Sequence, residues 1–230
     1  MFKNKNVLAI IPARSGSKSI KNKNIRKFKG KPLIYHSIEY AKKSKLVDEI
    51  VVTTDSQKYL NLIKKYKLNF SIKRSKRLSG DYVQDFPVIK DAFLKSENYF
   101  KKKFDFIILL RPTSPLRSPN LIKNSLSILY KNKKGDSVRA VQKSKQHPYR
   151  QWQYDKNKKF ISSIYKKTYE PYNLPRQKLP IFLFQTGDIE TIKRLTLVKG
   201  SISGKNILPI IIKNKYVDID NLEDLKQNQK

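Results

Sequence analysis

In VLAIIPARSGSKSIKNKN, residues 7–24, around which the chain is organised, an apolar run stops at a proline and opens into a loop of small and basic residues. A short continuous apolar run is what a central parallel strand needs, because both of its faces are covered. Residues 7–11 therefore predict a buried strand. In the loop, Ser15, Gly16 and Ser17 let the backbone approach a ligand, while Arg14, Lys18, Lys21 and Lys23 bring positive charge. Amides and cations together replace the water that a polyphosphate loses. The pattern is neither G-x-x-x-x-G-K-[ST] nor G-x-G-x-x-G, and taken alone it is equally a basic solvated turn.

Outward from that loop the elements alternate. After Gly30-Lys31-Pro32, residues Ile34, Ile38 and Ala41 recur at helical spacing and predict an amphipathic helix to about residue 44. EIVVTT (49–54) is the next strand, closed by Asp55 and Ser56, which can cap a helix through Tyr59, Leu62 and Ile63. This alternation implies parallel strands, right-handed crossovers and a ligand site at the strands' carboxyl ends. Residues 70–72 form a short strand before the polar loop KRSKRLSGDYVQD (73–85), and a helix follows over 87–99. FDFIILL (104–110) is the strongest strand signal, and it ends in RPTSPLR (111–117), whose prolines hold a non-helical turn. A helix over 119–130, strands over 137–141 and 182–184, a helix over 188–195, a strand over 207–212 and a helix after Asp220 complete an α/β body. Between 146 and 179 the composition shifts to Tyr, Lys, Pro and Gln around Trp152. That segment predicts a small irregular or β lobe inserted into a single domain spanning 1–230, its aromatics packing on a partner or on one another.

The chain has 230 residues, enough to bury a sizeable core, and its 38% hydrophobic content excludes a disordered chain. The net charge of +33 comes from 51 Lys and Arg against 18 Asp and Glu. The lysines are scattered, with no block of five like charges, which favours solvated faces over a nucleic-acid surface. Without cysteine there is no thiolate nucleophile or Cys-based zinc site, and two histidines exclude a histidine-rich metal centre. No apolar run approaches the roughly 18 residues that span a bilayer, and no signal-peptide core is apparent. A cytoplasmic protein with no membrane partner is expected.

Three basic loops, 14–24, 74–85 and 111–117, should converge at the carboxyl edge of the sheet. A triphosphate suits so cationic a site. YVDIDN (216–221) offers metal ligands: on a strand, Asp218 and Asp220 point to one face, and two carboxylates opposite a basic loop suit Mg2+. Equally, Asp220 caps the last helix and Asp218 is exposed. His147, ahead of a proline, reads as a loop packing residue and His36 as structural; no Ser-His-Asp set is indicated.

IIPARSGSKSIKNKN, LLRPTSPLR, PRQKLP and VDIDNLEDL, in that order over nearly the whole chain, resemble the acylneuraminate cytidylyltransferases, the CMP-sugar synthetases. The resemblance implies a Rossmann-like nucleotidyltransferase fold, with a mostly parallel sheet, flanking helices and a small dimerisation lobe at 146–179. It implies transfer of CMP from CTP to the anomeric hydroxyl of a nonulosonic, sialic-acid-like 2-keto sugar acid. By the same resemblance, Arg14, Gly16, Ser17, Lys18 and Lys23 handle the triphosphate, and Asn24 and Arg74 lie near the cytidine. Asp218 and Asp220 hold Mg2+, with Asp220 also orienting a base. Arg14, Lys23 and Asp220 are the catalytic set. Arg111, Pro112 and Thr113 face the sugar, and Arg150 and Arg176 meet the sugar acid of the partner subunit in a homodimer. Arg111 stands where glutamine is common, and Asp85 where a small hydroxyl residue is often found. An arginine there can pair with a carboxylate, so the acceptor is acidic without having to be sialic acid. The alternatives are a cytidylyltransferase for a different acidic acceptor and, in another class, a basic nucleic-acid-binding protein. The latter calls for aromatics among the basic loops, which instead hold Gly, Ser and Pro. In a salt titration, DNA affinity is expected to start weak; a tight starting value falling steeply with salt would identify a nucleic-acid surface.

Overall fold

A computed structural model describes residues 2–213 and 216–228. In chain order the elements are β1 (Val7–Pro12), β2 (Lys27–Phe28), β3 (Lys31–Pro32), α1 (Leu33–Lys43), β4 (Glu49–Thr54), α2 (Gln57–Lys64), β5 (Phe70–Lys73), α3 (Asp85–Phe100), β6 (Phe106–Leu109), α4 (Leu121–Lys131) and β7 (Ser137–Lys143). There follow β8 (Trp152–Asp155), β9 (Phe160–Ser163), β10 (Leu183–Lys193), α5 (Arg194–Val198), β11 (Ile207–Ile211) and α6 (Leu222–Gln227). Seven strands form one sheet in the order β11-β7-β10-β6-β1-β4-β5. β1 runs parallel to β4 and β6, and β4 parallel to β5; β10 pairs antiparallel with β6.

β1 is central because each of its apolar residues has a core to enter. Val7, Ala9 and Ile11 join Ile34 and Ile38 of α1, Tyr59 and Ile63 of α2 and Leu126 of α4 on one face. Leu8 and Ile10 join Ile89, Ala92 and Phe93 of α3 and Leu197 of α5 on the other. These five of the six β1 residues are completely buried, the signature of a strand covered on both faces. Ser56 caps α2 by accepting the Tyr59 N–H at 3.3 Å.

The structure corrects two elements. Residues 188–195, read as a helix, are mostly strand: β10 runs unbroken to Lys193, and only Arg194–Val198 is helical. Pairing with β6 overrides the helical spacing, since Glu190, Thr191 and Ile192 stand opposite Leu109, Ile108 and Ile107, and β-branched side chains suit that buried ladder. The strand expected to carry Asp218 and Asp220 is absent from the described residues 216–220. The alternation survives without a ladder: Val217 and Ile219 are buried against Ile20, Phe28 and Leu33, which leaves the two aspartates on the opposite side.

The chain divides into two compact units, residues 1–140 with 186–230, and residues 141–185. The second contains the antiparallel hairpin β8–β9 and its own aromatic cluster. Tyr149 stacks on Tyr165 at 4.0 Å, and His147 meets Phe182 edge-on at 4.9 Å. Among the described residues, no helix is long and apolar enough to cross a membrane.

One tie spans the first unit far from the loops. Glu97 of α3 accepts Arg194 Nε and Nη2 at 2.8 Å each and the Phe104 N–H at 3.0 Å. Burial pushes its carboxyl up, but Arg194 and that N–H outweigh it and hold the pKa below the ordinary value. The bonds therefore stabilise the fold fully above the ordinary Glu range and are lost as pH falls through the lowered pKa. In urea unfolding, Glu97→Gln should lose about 1–2 kcal/mol at neutral pH. The deficit should shrink towards pH ~3 as the native carboxyl protonates. A deficit constant with pH would assign it to shape instead.

Candidate functional site

The loop after β1 is held at both ends. The Ala13 N–H bonds Thr53 O at 2.9 Å, and the Asp55 carboxylate at the end of β4 accepts both the N–H and the hydroxyl of Ser15 at 2.8 Å. Asp55 thus anchors the loop instead of capping α2. On the return path buried Asn24 donates to Arg14 O at 2.8 Å. A Cβ added to Gly16 would meet no protein atom within 4 Å, so no protein contact there demands a glycine.

A cavity of about 600 Å3 opens at this edge of the sheet. The three basic loops do converge on it: Arg14, Ser17, Lys18, Lys23 and Asn24 from the first, Arg74 from the second, and Arg111, Pro112 and Thr113 from the third. Gly16 does not line it, and neither do Asp218 or Asp220. Arg150 and Arg176 belong to the unit 141–185, where they line a different cavity of about 450 Å3 with Lys143, Lys145 and His147. Arg150 donates there to Leu174 O at 3.1 Å. His147 bonds Pro180 O and His36 bonds Phe28 O, both at 2.9 Å, as packing residues do.

Carboxylates already hold the cations of the first cavity. Asp81 takes Arg14 at 3.1 Å and Lys18 at 2.9 Å, and the Lys18 hydrogen bond leads in holding its pKa below the usual range. Asp220 takes Lys23 at 2.8 Å. Arg111 Nη2 reaches Asp85 at 2.8 Å and Glu190 at 2.7 Å. Burial alone would depress the Arg111 pKa, but Glu190 and Asp85 outweigh it and raise it. Arg111 is therefore paired internally, where the sequence suggested a guanidinium open to an acceptor carboxylate. Arg74 is 7% exposed, with its Nε buried and unpartnered among the described residues; burial lowers its pKa, against the pull of Asp55.

Behind the 111–117 turn lies a buried polar layer. The Ile219 N–H bonds Thr113 O at 2.8 Å, sewing the aspartate segment to the turn. Asp218 Oδ2 accepts the Tyr216 hydroxyl at 2.7 Å, and that hydroxyl accepts the Gly187 N–H at 3.1 Å. A Cβ on Gly187 would stand 2.6 Å from Ser114 Oγ, so glycine is required for this approach. Arg117 donates to Asp188 O and Arg111 O at 2.6 Å each, and burial pushes its pKa down to about 10. Asp188 is 2% exposed; burial raises its pKa, and the Asp218 charge adds to the rise.

Asp218 Oδ1 and Asp188 Oδ2 are buried oxygens without a hydrogen-bond partner among the described residues. The orphaned hard oxygen of Asp218, two residues before exposed Asp220, suits a hard divalent cation. No group of three metal-binding side chains gathers among the described residues, but Mg2+ is commonly held by one or two carboxylates, with waters and phosphate oxygens completing the shell. The donor set fits. No spacing signal in the sequence marks Asp81, Asp85, Glu190 and Asp188 as partners of these groups; only a strand over 183–193 puts Asp188 and Glu190 on one face.

Comparisons with known proteins agree with this architecture. The chain matches the cytidylyltransferase family over residues 8–229. It is 34% identical over 222 residues to the post-translational flagellin modification protein B of Campylobacter coli, covering 96% of this chain and 92% of that protein. Identity and coverage are the same with the CMP-N,N'-diacetyllegionaminic acid synthase of Campylobacter jejuni. A CMP:2-keto-3-deoxy-manno-octonic acid synthetase solved with CTP shares the fold, with a TM-score of 0.70, 17% identity and 97% of each chain covered.

Glu190 is the buried keystone of the cation layer. It is 3% exposed, and Arg139 also lies 3.0 Å from its Oε2, without hydrogen-bond alignment. Glu190→Gln, which keeps the shape and removes the charge, should cost about 3 kcal/mol in urea unfolding because Arg139 loses its carboxylate and Arg111 is left with Asp85 alone. A loss below about 0.5 kcal/mol would show the charge to be dispensable.

Proposed function

Because the chain belongs to the cytidylyltransferase family, we propose that it transfers CMP from CTP to the anomeric hydroxyl of a nonulosonic 2-keto sugar acid, releasing pyrophosphate. The observation that carries this is the convergence of three basic loops on one cavity at the carboxyl edge of β1, β5 and β6. Arg14, Lys18 and Lys23 take the triphosphate, with the hydroxyl of Ser17 beside them. Asn24 and Arg74 face the cytidine, and the unpartnered Arg74 Nε is a donor awaiting an acceptor. Pro112 and Thr113 wall the acceptor end, where Arg111 and Asp85 present a paired, neutral surface.

In the reaction the anomeric oxygen attacks the α-phosphorus in line. The new C–O–P link forms as the bond from the α-phosphorus to the bridging oxygen breaks, and pyrophosphate departs with that electron pair. Holding both reactants in one cavity turns a bimolecular encounter into a local one. Arg14 and Lys23 oppose the charge that grows on the phosphate oxygens and the leaving group. Asp218 and Asp220 would hold Mg2+, which when bound neutralises phosphate charge and orders water. Asp220 is the candidate to orient a base for the hydroxyl proton.

The same proposal takes the chain as a homodimer working in the cytoplasm. The unit 141–185 exposes Phe160, Tyr169 and Ile181 at 72%, 89% and 78%, an apolar load that a second copy would cover. Arg150 and Arg176, sharing a cationic cavity, are assigned to the acceptor carboxylate bound by that second copy.

Pyrophosphate release from CTP and Mg2+ across a panel of keto sugar acids tests the reaction, and at least one acceptor should be consumed. Silence with every acceptor would refute it. Asp218→Asn and Asp220→Asn should each lower turnover about 100-fold or more while leaving the circular dichroism unchanged. Wild-type rates in either variant would remove that residue from the metal site.

A further inference from the structure

Two of the three cations assigned to the triphosphate, Arg14 and Lys18, are bound to one carboxylate. Asp81 spreads its oxygens between them, Oδ1 to Arg14 Nη1 at 3.1 Å and Oδ2 to Lys18 Nζ at 2.9 Å, which is how a bridging phosphate would sit. Asp81 lines the cavity alongside the cations it holds. Its neighbours carry the same latch. Gly80 O accepts from Arg14 Nη1 at 3.3 Å, and Lys18 Nζ lies 5.9 Å from the centre of the Tyr82 ring. Tyr82 is itself 96% exposed, so no apolar burial keeps the segment in place. Residues 79–84 have few other anchors: Ser79 bonds Ser75 O at 2.9 Å, and the Val83 N–H bonds Gly80 O at 3.2 Å, both within the same loop.

We infer that Asp81 is a built-in competitor for the polyphosphate, a specificity-determining residue that sets how much negative charge a ligand must bring to claim Arg14 and Lys18. A triphosphate brings enough to displace one carboxylate, and a monophosphate does not. As pyrophosphate leaves, Asp81 returns to the two cations and opposes its rebinding. The pairs are exposed enough for exchange: the side chains of Arg14, Lys18 and Asp81 are 39%, 74% and 36% accessible, and such pairs hold weakly in water. The competitor role rests on the reaction proposed above, but the underlying competition can be measured without turnover.

Calorimetric titration of Asp81→Asn with CTP, pyrophosphate, tripolyphosphate and CMP separates the outcomes. Removing one charge in contact with the cations should tighten CTP, pyrophosphate and tripolyphosphate by about 5- to 10-fold and leave CMP within about twofold. The gain should fade at high salt, and Asp81→Glu should bind as the wild type does. Unchanged or weaker polyphosphate binding in a folded Asp81→Asn protein would overturn the inference, because Asp81 would then be positioning the cations. Equal tightening of CMP would overturn it as well. Tighter tripolyphosphate in a protein that never converts CTP would uphold the competition and refute the reaction.

Discussion

The site depends on carboxylates that hold its cations before any ligand arrives. Arg14, Lys18, Lys23 and Arg111 lie around one cavity, and like charges gathered this closely repel unless countered. Asp81, Asp220, Asp85 and Glu190 supply the counter-charge. They differ in kind. Glu190 is buried and fixed by the sheet, so its pairing with Arg111 and Arg139 is part of the fold. Asp81 and Asp220 are exposed, and such pairs contribute little to stability and can be exchanged for phosphate.

The sheet makes this arrangement possible. β1, β4, β5 and β6 are parallel, so the carboxyl ends of β1, β5 and β6 deliver the three basic loops to one edge, and β1 is buried on both faces so that its loop starts from a rigid base. Asp55, at the end of β4, then ties the loop of β1 to the neighbouring strand. The antiparallel β10 brings Asp188 and Glu190 to the layer behind the 111–117 turn, where the segment holding Asp218 and Asp220 also docks.

Much of this was legible in the sequence because it is local. Continuous apolar runs mark β1 and β6, helical spacing marks α1, and proline and glycine mark the loops. Arg14, Lys18, Lys23, Arg74 and Arg111 follow strand ends, which is why their convergence could be anticipated. What was illegible is non-local. Residues 188–193 have a helical spacing, and only the ladder with β6 makes them strand. The pairing of Arg111 with Glu190 spans 79 positions and that of Lys23 with Asp220 spans 197, so neither leaves a spacing signal. Asp218 and Asp220 keep a common side through the burial of Val217 and Ile219 without any strand, so period two outlived the element that suggested it.

The cations of the cavity are proposed to direct attack to the α-phosphorus of CTP, and following phosphorus label from CTP into products, in parallel reactions labelled at the α and the γ position, is the decisive measurement. The α-label should move wholly into an acidic sugar nucleotide while γ-label appears only in pyrophosphate. Transfer of γ-label to the sugar, or α-label left in CDP, would contradict it.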